Sequence, residues 1–317
     1  MTTLLSPKDF SVAAANGSLS IGECAIQVDE SEELLPIKVI DYAPESRNVC
    51  YAFHGAINQE IRNIPLFYGN QFLELFPKRM TIISIADPSL RLSREALYTW
   101  YAGDEKCPTQ KMISALVTSV NETVRPEKTI FIGGSSGAHP ALYHSHSIPD
   151  SLCLTVNPLP RIAAYETVLQ QYLKLCWPNG HDVAGRRFKD NVIDLYSSGY
   201  RNKVVILQNS TDPHMQHQIL PLVKSLSHQK QDYLFLSEFF PDHLGHRYPA
   251  GPLNNWVEAA LKAESFDLWK MADTVFSKRA TSEPVPAQKS KTAEPGFSQN
   301  TVQLADRISA HFIGDAK

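Results

Sequence analysis

The chain reads as an α/β protein built on a doubly wound, mainly parallel sheet with helices on both faces. Three observations predict it. Short apolar, β-branched runs recur along the chain, helix-compatible segments separate them, and one run, Thr129–Ile132, passes through a glycine-rich turn into a helical stretch. Strands covered by helices on both faces read as continuous apolar runs, and alternation of such runs with helices is the pattern of a parallel sheet.

Taken in order, Ile37–Tyr42 and Val49–Phe53 are strands separated by the turn-rich Pro-Glu-Ser-Arg-Asn at 44–48. Thr81–Ala86 is the next strand, followed by a helix around Gln110–Val124. Thr129–Ile132 leads into the glycine turn and a helix to Ser147. Leu152–Val156 and Lys203–Leu207 are buried strands, and Tyr233–Phe239 is the last strong one, followed by a helix from Leu253 to Ala263. Between them, residues 157–202 form a helical insert ahead of the strand Lys203–Leu207, with helical periodicity in Tyr165–Cys176 and a polar bridge at 180–187. A connection this long suits either a lid or a crossover helix with an extended loop, and the sequence leaves both open.

Residues 1–276 make one domain. After Phe276 the composition turns to Pro, Ser, Lys and Thr, so 277–301 is expected to be a disordered linker that cannot offset its ordering entropy. Residues 302–317 carry a short amphipathic piece, Val302–Ile313, with Leu304, Ile308 and Phe312 at i, i+4 and i+8. It is a loose tail or a docking element for the body or a protein partner.

Composition excludes several classes. A net charge of −3 over 317 residues gives no electrostatic case for nucleic acid or an anionic membrane. No basic start followed by an apolar block opens the chain, and no run approaches the roughly 18–20 apolar residues that span a bilayer. The five cysteines are scattered, odd in number and never spaced C-x-x-C, which fits reduced thiols in a cytoplasmic protein. Histidines paired at short spacing (His214 with His217, His243 with His246, His144 with His146) lack any accompanying ligand pattern. Eleven histidines produce such spacings by chance, and neither metal nor cofactor is expected.

The chemistry-bearing stretch is Gly133-Gly134-Ser135-Ser136-Gly137, which fits G-x-S-x-G with Ser135 in the centre. Set between a strand and a helix, that pattern is a nucleophile elbow; the alternative is a glycine turn without chemistry. Glycines two places before and after the serine remove the Cβ atoms that a tight strand-to-helix turn would bring into collision. Ser136 is the rival, but its frame would need glycine at 138, where Ala138 stands. A serine hydroxyl needs a base, and the base an orienting carboxylate. Asp212 lies in the turn after the buried strand Lys203–Leu207, and His246 in the loop after Tyr233–Phe239. Ser135, Asp212 and His246 therefore each fall at the carboxyl end of a different strand, where open α/β sheets hold their sites.

With those residues in that order, residues 35–265 resemble the α/β-hydrolase superfamily. The resemblance rests on Gly-Gly-Ser-Ser-Gly, the strand-end Asp212, the late Gly245-His246 pair and His54-Gly55-Ala56 after an early strand. It implies a serine esterase or acyl hydrolase with a Ser135–His246–Asp212 triad. It also implies an oxyanion hole from the N–H groups of Ala56 and Ser136. His243 competes with His246; the glycine before His246 and its place nearer the final helix favour the latter. His139 is carried away along the helix, and His54 suits an anchor of the oxyanion turn better than a proton carrier. Asp212 could serve only as a turn cap through Asp-Pro, and Asp182 and Asp194 lie in the insert. The expected substrate is a small acyl compound, an ester or thioester. The strand end and aromatic segment at 86–101 resemble hydrolase-like proteins of bacterial surface glycan synthesis, which adds an acylated carbohydrate. The same parts would serve an acyltransferase, and a non-catalytic scaffold is the remaining alternative.

Overall fold

The structure, a computed structural model, describes residues 3–29, 32–180 and 186–281. In chain order these form β1 (Thr3–Leu5), α1 (Pro7–Ala15), β2 (Gly22–Gln27), β3 (Leu34–Asp41), β4 (Asn48–Phe53), α2 (Asn70–Leu75) and β5 (Thr81–Ile85). Then follow α3 (Thr109–Val124), β6 (Lys128–Gly134), α4 (Ala138–His146), β7 (Leu152–Val156), α5 (Glu166–Cys176) and α6 (Ile193–Ser197). The last are β8 (Lys203–Asn209), α7 (Leu220–Leu226), β9 (Tyr233–Glu238), α8 (Ala250–Lys262) and α9 (Leu268–Thr281).

The strands join one sheet in the order β1-β2-β3-β5-β4-β6-β7-β8-β9. Strand β3 runs antiparallel to both β2 and β5, and every other pairing is parallel. Because side chains alternate along a strand, the central strands feed two separate cores. Tyr51, Phe53, Phe131, Cys153, Val204 and Ile206 face the layer holding α1, α3, α4, α6 and α7. Cys50, Ile130, Ile132, Leu154, Val205 and Leu207 face α2, α8 and α9. Burial on both faces explains why these strands read as unbroken apolar runs. Phe131 is fully buried, and its loss to alanine would cost about 3–5 kcal/mol.

Three elements at the start, β1, α1 and β2, were not placed from the sequence. Helix α1 begins at Ser6, whose hydroxyl accepts the Asp9 N–H, with Pro7 in its first turn. It packs on α3, and the short β1 pairs with β2. At the other end, α9 runs beyond the compositional break at Phe276 to Thr281, since buried Leu268, Met271, Ala272 and Val275 seat it on the core. The rest of the linker and the amphipathic segment 302–317 lie outside the described residues, as does Asp182. In the insert, Val168, Tyr172 and Cys176 of α5 pack with Trp177 and Phe188 against Trp100 and Ala102. No helix among the described residues is long and apolar enough to cross a membrane. All five cysteines are buried, unpaired thiols.

Candidate active site

Strand β6 ends at Gly134, and the chain turns through a short 3₁₀ segment, Ser135–Gly137, into α4. Ser135 holds the left-handed conformation (φ 55°), which costs a non-glycine residue roughly 1–3 kcal/mol. The neighbouring glycines make that turn sterically feasible. A Cβ on Gly133 would lie 2.0 Å from the Gly137 carbonyl oxygen, and one on Gly137 would lie 2.4 Å from that of His54. A Cβ on Gly134 would meet nothing closer than 3.5 Å. The spacing that centres the motif on Ser135 is thus a packing requirement. The Ser135 carbonyl is held by the Leu159 N–H at 3.1 Å.

Asp212 stands in the turn after β8 and is almost fully buried. Its Oδ1 accepts the His214 N–H at 2.9 Å, and its Oδ2 accepts the Gln208 amide at 2.9 Å and His246 Nδ1 at 2.8 Å. Burial alone would raise its pKa, but the adjacent His246, followed by His214 and its N–H, holds the carboxyl below the usual range. The other ring nitrogen of His246, Nε2, lies 2.8 Å from Ser135 Oγ. Asp212, His246 and Ser135 therefore form one continuous hydrogen-bonded line. With the carboxylate accepting at Nδ1–H, Nε2 is left as the acceptor for the serine hydroxyl.

His243 does not join this line. The loop after β9 is fixed by its backbone: the Asn209 side-chain amide donates to the carbonyls of His243 and Arg247, the latter at 2.8 Å. Thr211 Oγ1 accepts the Gly245 N–H at 2.9 Å, and Asn157 donates to the Arg247 carbonyl at 3.3 Å. Gly245 takes a left-handed turn (φ 76°) that a side chain would strain. Together these bonds direct His246, with a side chain only 4% exposed, towards Asp212. Asn157, Asn209 and Thr211 escaped the sequence reading; the signal available was the Asn three places before the strand-end acid.

His54 and Ala56 lie in the turn after β4. A Cβ on Gly55 would come 2.9 Å from the Gly134 carbonyl and 3.4 Å from Ser135 Cβ, so this turn lies directly against the serine. Ser136 is buried at the start of the helical segment, next to Ser135. His54 Nδ1 bonds the Gly55 carbonyl at 2.7 Å and Nε2 accepts the Asp87 N–H at 3.3 Å, so the ring is neutral with its proton on Nδ1. Burial, opposed by the Gly55 bond, lowers its pKa to about 4.

His214 is a further neighbour. Its ring sits edge-on to His246 at 4.9 Å, and its Nδ1 is hydrogen-bonded to the Tyr165 hydroxyl at 2.9 Å. Burial and the proximity of His246 lower its pKa to about 4. Asp212, His214 and His246 bring one ligand-capable atom each within 4.8 Å of one another. The hydrogen bonds to Ser135, Gln208 and Tyr165 account for that cluster, and a cation would have to displace them. His139 is buried on α4, where burial lowers it to about 3, and Asp194 pairs with Lys189 and Asn191 on the insert surface.

No family model and no curated protein sequence matches the chain. Among solved structures it is similar to the capsule O-acetyltransferase of Neisseria meningitidis serogroup A, at 12% identity and TM-score 0.53, covering 80% of this chain and 99% of that one. It is also similar to dipeptidyl peptidase 4 of Porphyromonas gingivalis, at 13% identity and TM-score 0.50, over 77% of this chain and 35% of that one. A Pyrococcus furiosus esterase aligns at 14% identity and TM-score 0.48, over 88% of this chain and 97% of that one. Identities this low concern the fold alone. Taken with the strand order and the strand–turn–helix around Ser135, the first two likenesses show that this chain has the α/β-hydrolase fold.

Proposed function

We propose that the protein is a serine-dependent acyl hydrolase acting on an ester, thioester or related acyl compound. The observation that carries this reading is the unbroken line from Asp212 through His246 to Ser135, with both contacts at 2.8 Å. Ser135 Oγ attacks the acyl carbonyl carbon while its proton passes to His246 Nε2. The imidazolium so formed lies against the Asp212 carboxylate, which holds the ring in the correct tautomer and stabilises its charge. The carbonyl oxygen becomes an oxyanion, and the N–H groups of Ala56 and Ser136 stabilise it by roughly 3–4 kcal/mol per donor. Collapse of this intermediate releases the leaving group with the proton from His246 and leaves the acyl group on Ser135. A water molecule, deprotonated by His246, then repeats the sequence and frees the acid.

The likeness to a capsule O-acetyltransferase along nearly all of that protein's length supports a second reading, transfer of the acyl group to a hydroxyl of a carbohydrate. It uses the same residues and differs only in which acceptor reaches the acyl-enzyme. Five buried reduced thiols fit a cytoplasmic setting for either reaction.

A fluorophosphonate probe should label the wild type and Ser136→Ala but leave Ser135→Ala unlabelled. p-Nitrophenyl esters of graded chain length, with and without a sugar acceptor, then separate hydrolysis from transfer. Labelling that persists in Ser135→Ala would refute the nucleophile. A wild type that neither labels nor turns over any ester would favour a binding scaffold.

A further inference from the structure

Asp87, just beyond β5, is buried and lies among hydrogen-bond donors rather than cations. Its Oδ2 accepts the Thr99 hydroxyl at 2.6 Å and the Tyr101 N–H at 2.7 Å, and its Oδ1 accepts the Ser89 N–H at 3.2 Å. Its own N–H donates to His54 Nε2 at 3.3 Å. Tyr101 closes the circuit. Its hydroxyl accepts the His54 N–H at 3.0 Å and donates to the Ile85 carbonyl at 3.0 Å, and its ring packs 5.2 Å from that of His54. Asp87, His54 and Tyr101 are thereby locked to one another from both backbone and side chain.

The lock bears on two features at once. Trp100 and Tyr101 are consecutive left-handed residues (φ 52° and 55°), a corner that persists only when surrounding contacts over-determine it. The Asp87 bonds to Thr99 and Tyr101 bracket that corner. On the other side, His54 is the first residue of the turn that carries Ala56 past Ser135, and its ring is bonded to the next carbonyl in that turn. Gly55 lies so near Gly134 that a Cβ there would come 2.9 Å from the Gly134 carbonyl oxygen. The turn is thus set against the serine, with His54 holding its first residue and the Ile57 N–H bond to the Leu97 carbonyl at 2.8 Å holding its far end.

We propose that Asp87 is a positioning residue for the Ala56 N–H. By fixing His54 and Tyr101 together, it sets where the His54-Gly55-Ala56 turn meets an oxyanion formed on Ser135. This rests on the acyl-transfer reading above. A donor displaced by a fraction of an ångström still binds substrate but loses stabilisation of the charge that develops only in the transition state.

The test compares wild type, Asp87→Asn, Tyr101→Phe and the double variant, each checked for folding by circular dichroism and thermal midpoint. The readouts are turnover of p-nitrophenyl acetate and inhibition by a small trifluoromethyl ketone, whose adduct with Ser135 carries the oxyanion. Asp87→Asn should lower kcat about 10- to 100-fold with KM within about twofold. Ketone affinity should fall by the same factor as kcat/KM. Tyr101→Phe should show a smaller loss of the same kind, and the double variant should be no worse than Asp87→Asn, because both act through one turn. Folded variants with wild-type kcat and ketone affinity overturn the assignment, as do losses that multiply in the double variant. If Asp87→Asn does not fold, Tyr101→Phe decides, since it removes a single hydroxyl. A wild type inert to both ester and fluorophosphonate overturns the acyl-transfer reading together with this one. A reactive wild type with unaltered variants overturns this one alone.

Discussion

Acidification is expected to unfold this protein near pH 5, where carboxylates alone would leave it intact. The perturbed groups are four buried histidines. Burial lowers His54 and His214 from 6.5 to about 4, and His139 and His144 to about 3. The folded state resists protonating them while the unfolded chain does not, so their contribution is whole above pH 6.5 and is lost as pH falls towards 4 and 3. At pH 5 each has cost roughly 2 kcal/mol, or about 8 kcal/mol together. Asp87 acts in the opposite sense. Burial, against hydrogen bonds from Thr99, Tyr101 and Ser89, raises its carboxyl to about 6, so the folded state takes up its proton more readily. That restores about 1 kcal/mol between pH 7 and pH 5. The remainder is comparable to the ~5–15 kcal/mol that holds a typical domain together. Near pH 5 the unfolded state binds about three more protons than the folded one, a slope of ~4 kcal/mol per pH unit. Urea titrations followed by tryptophan fluorescence from pH 7.5 to 5 measure it directly. Replacing His139 and His144 together by Gln should flatten the slope by about two-thirds. A stability that changes by less than about 2 kcal/mol over this range, or a slope untouched by the double replacement, would refute the reasoning.

Three further outcomes follow from the geometry. Gly137→Ala should abolish activity and lower the thermal midpoint, because its Cβ would meet the His54 carbonyl at 2.4 Å; Gly134→Ala, with no contact under 3.5 Å, should fold normally. His246→Ala should lower acylation by ~10⁴-fold or more and Asp212→Asn by ~10⁴-fold, whereas His243→Ala should stay within about fivefold of wild type in stopped-flow acylation. A chain ending at Thr281 should keep both its thermal midpoint and its esterase rate; loss of either would show that the segment 302–317 docks on the body.

The sequence by itself determined what local chemistry dictates. Apolar runs such as Thr129–Ile132 and Leu152–Val156 could only be strands covered on both faces, and their alternation with helices implied the parallel sheet. Glycines at 133 and 137 announced a turn too tight for any Cβ, and the order Ser135, Asp212, His246 followed from strand ends that could be read one at a time. The glycine before His246 favoured it over His243 from sequence, and tertiary structure showed which of the two meets the acid. His243 and His246 share that loop, and the choice comes from Asn209 and Thr211, more than thirty residues away, holding its backbone. The Asp87–His54–Tyr101 lock was hidden for the same reason, since it joins residues on three segments by bonds that no spacing encodes. The N-terminal β1 and α1 were equally silent: too short to show a period, they gain their stability from α3 and β2, and contacts between distant segments leave little trace in either segment alone.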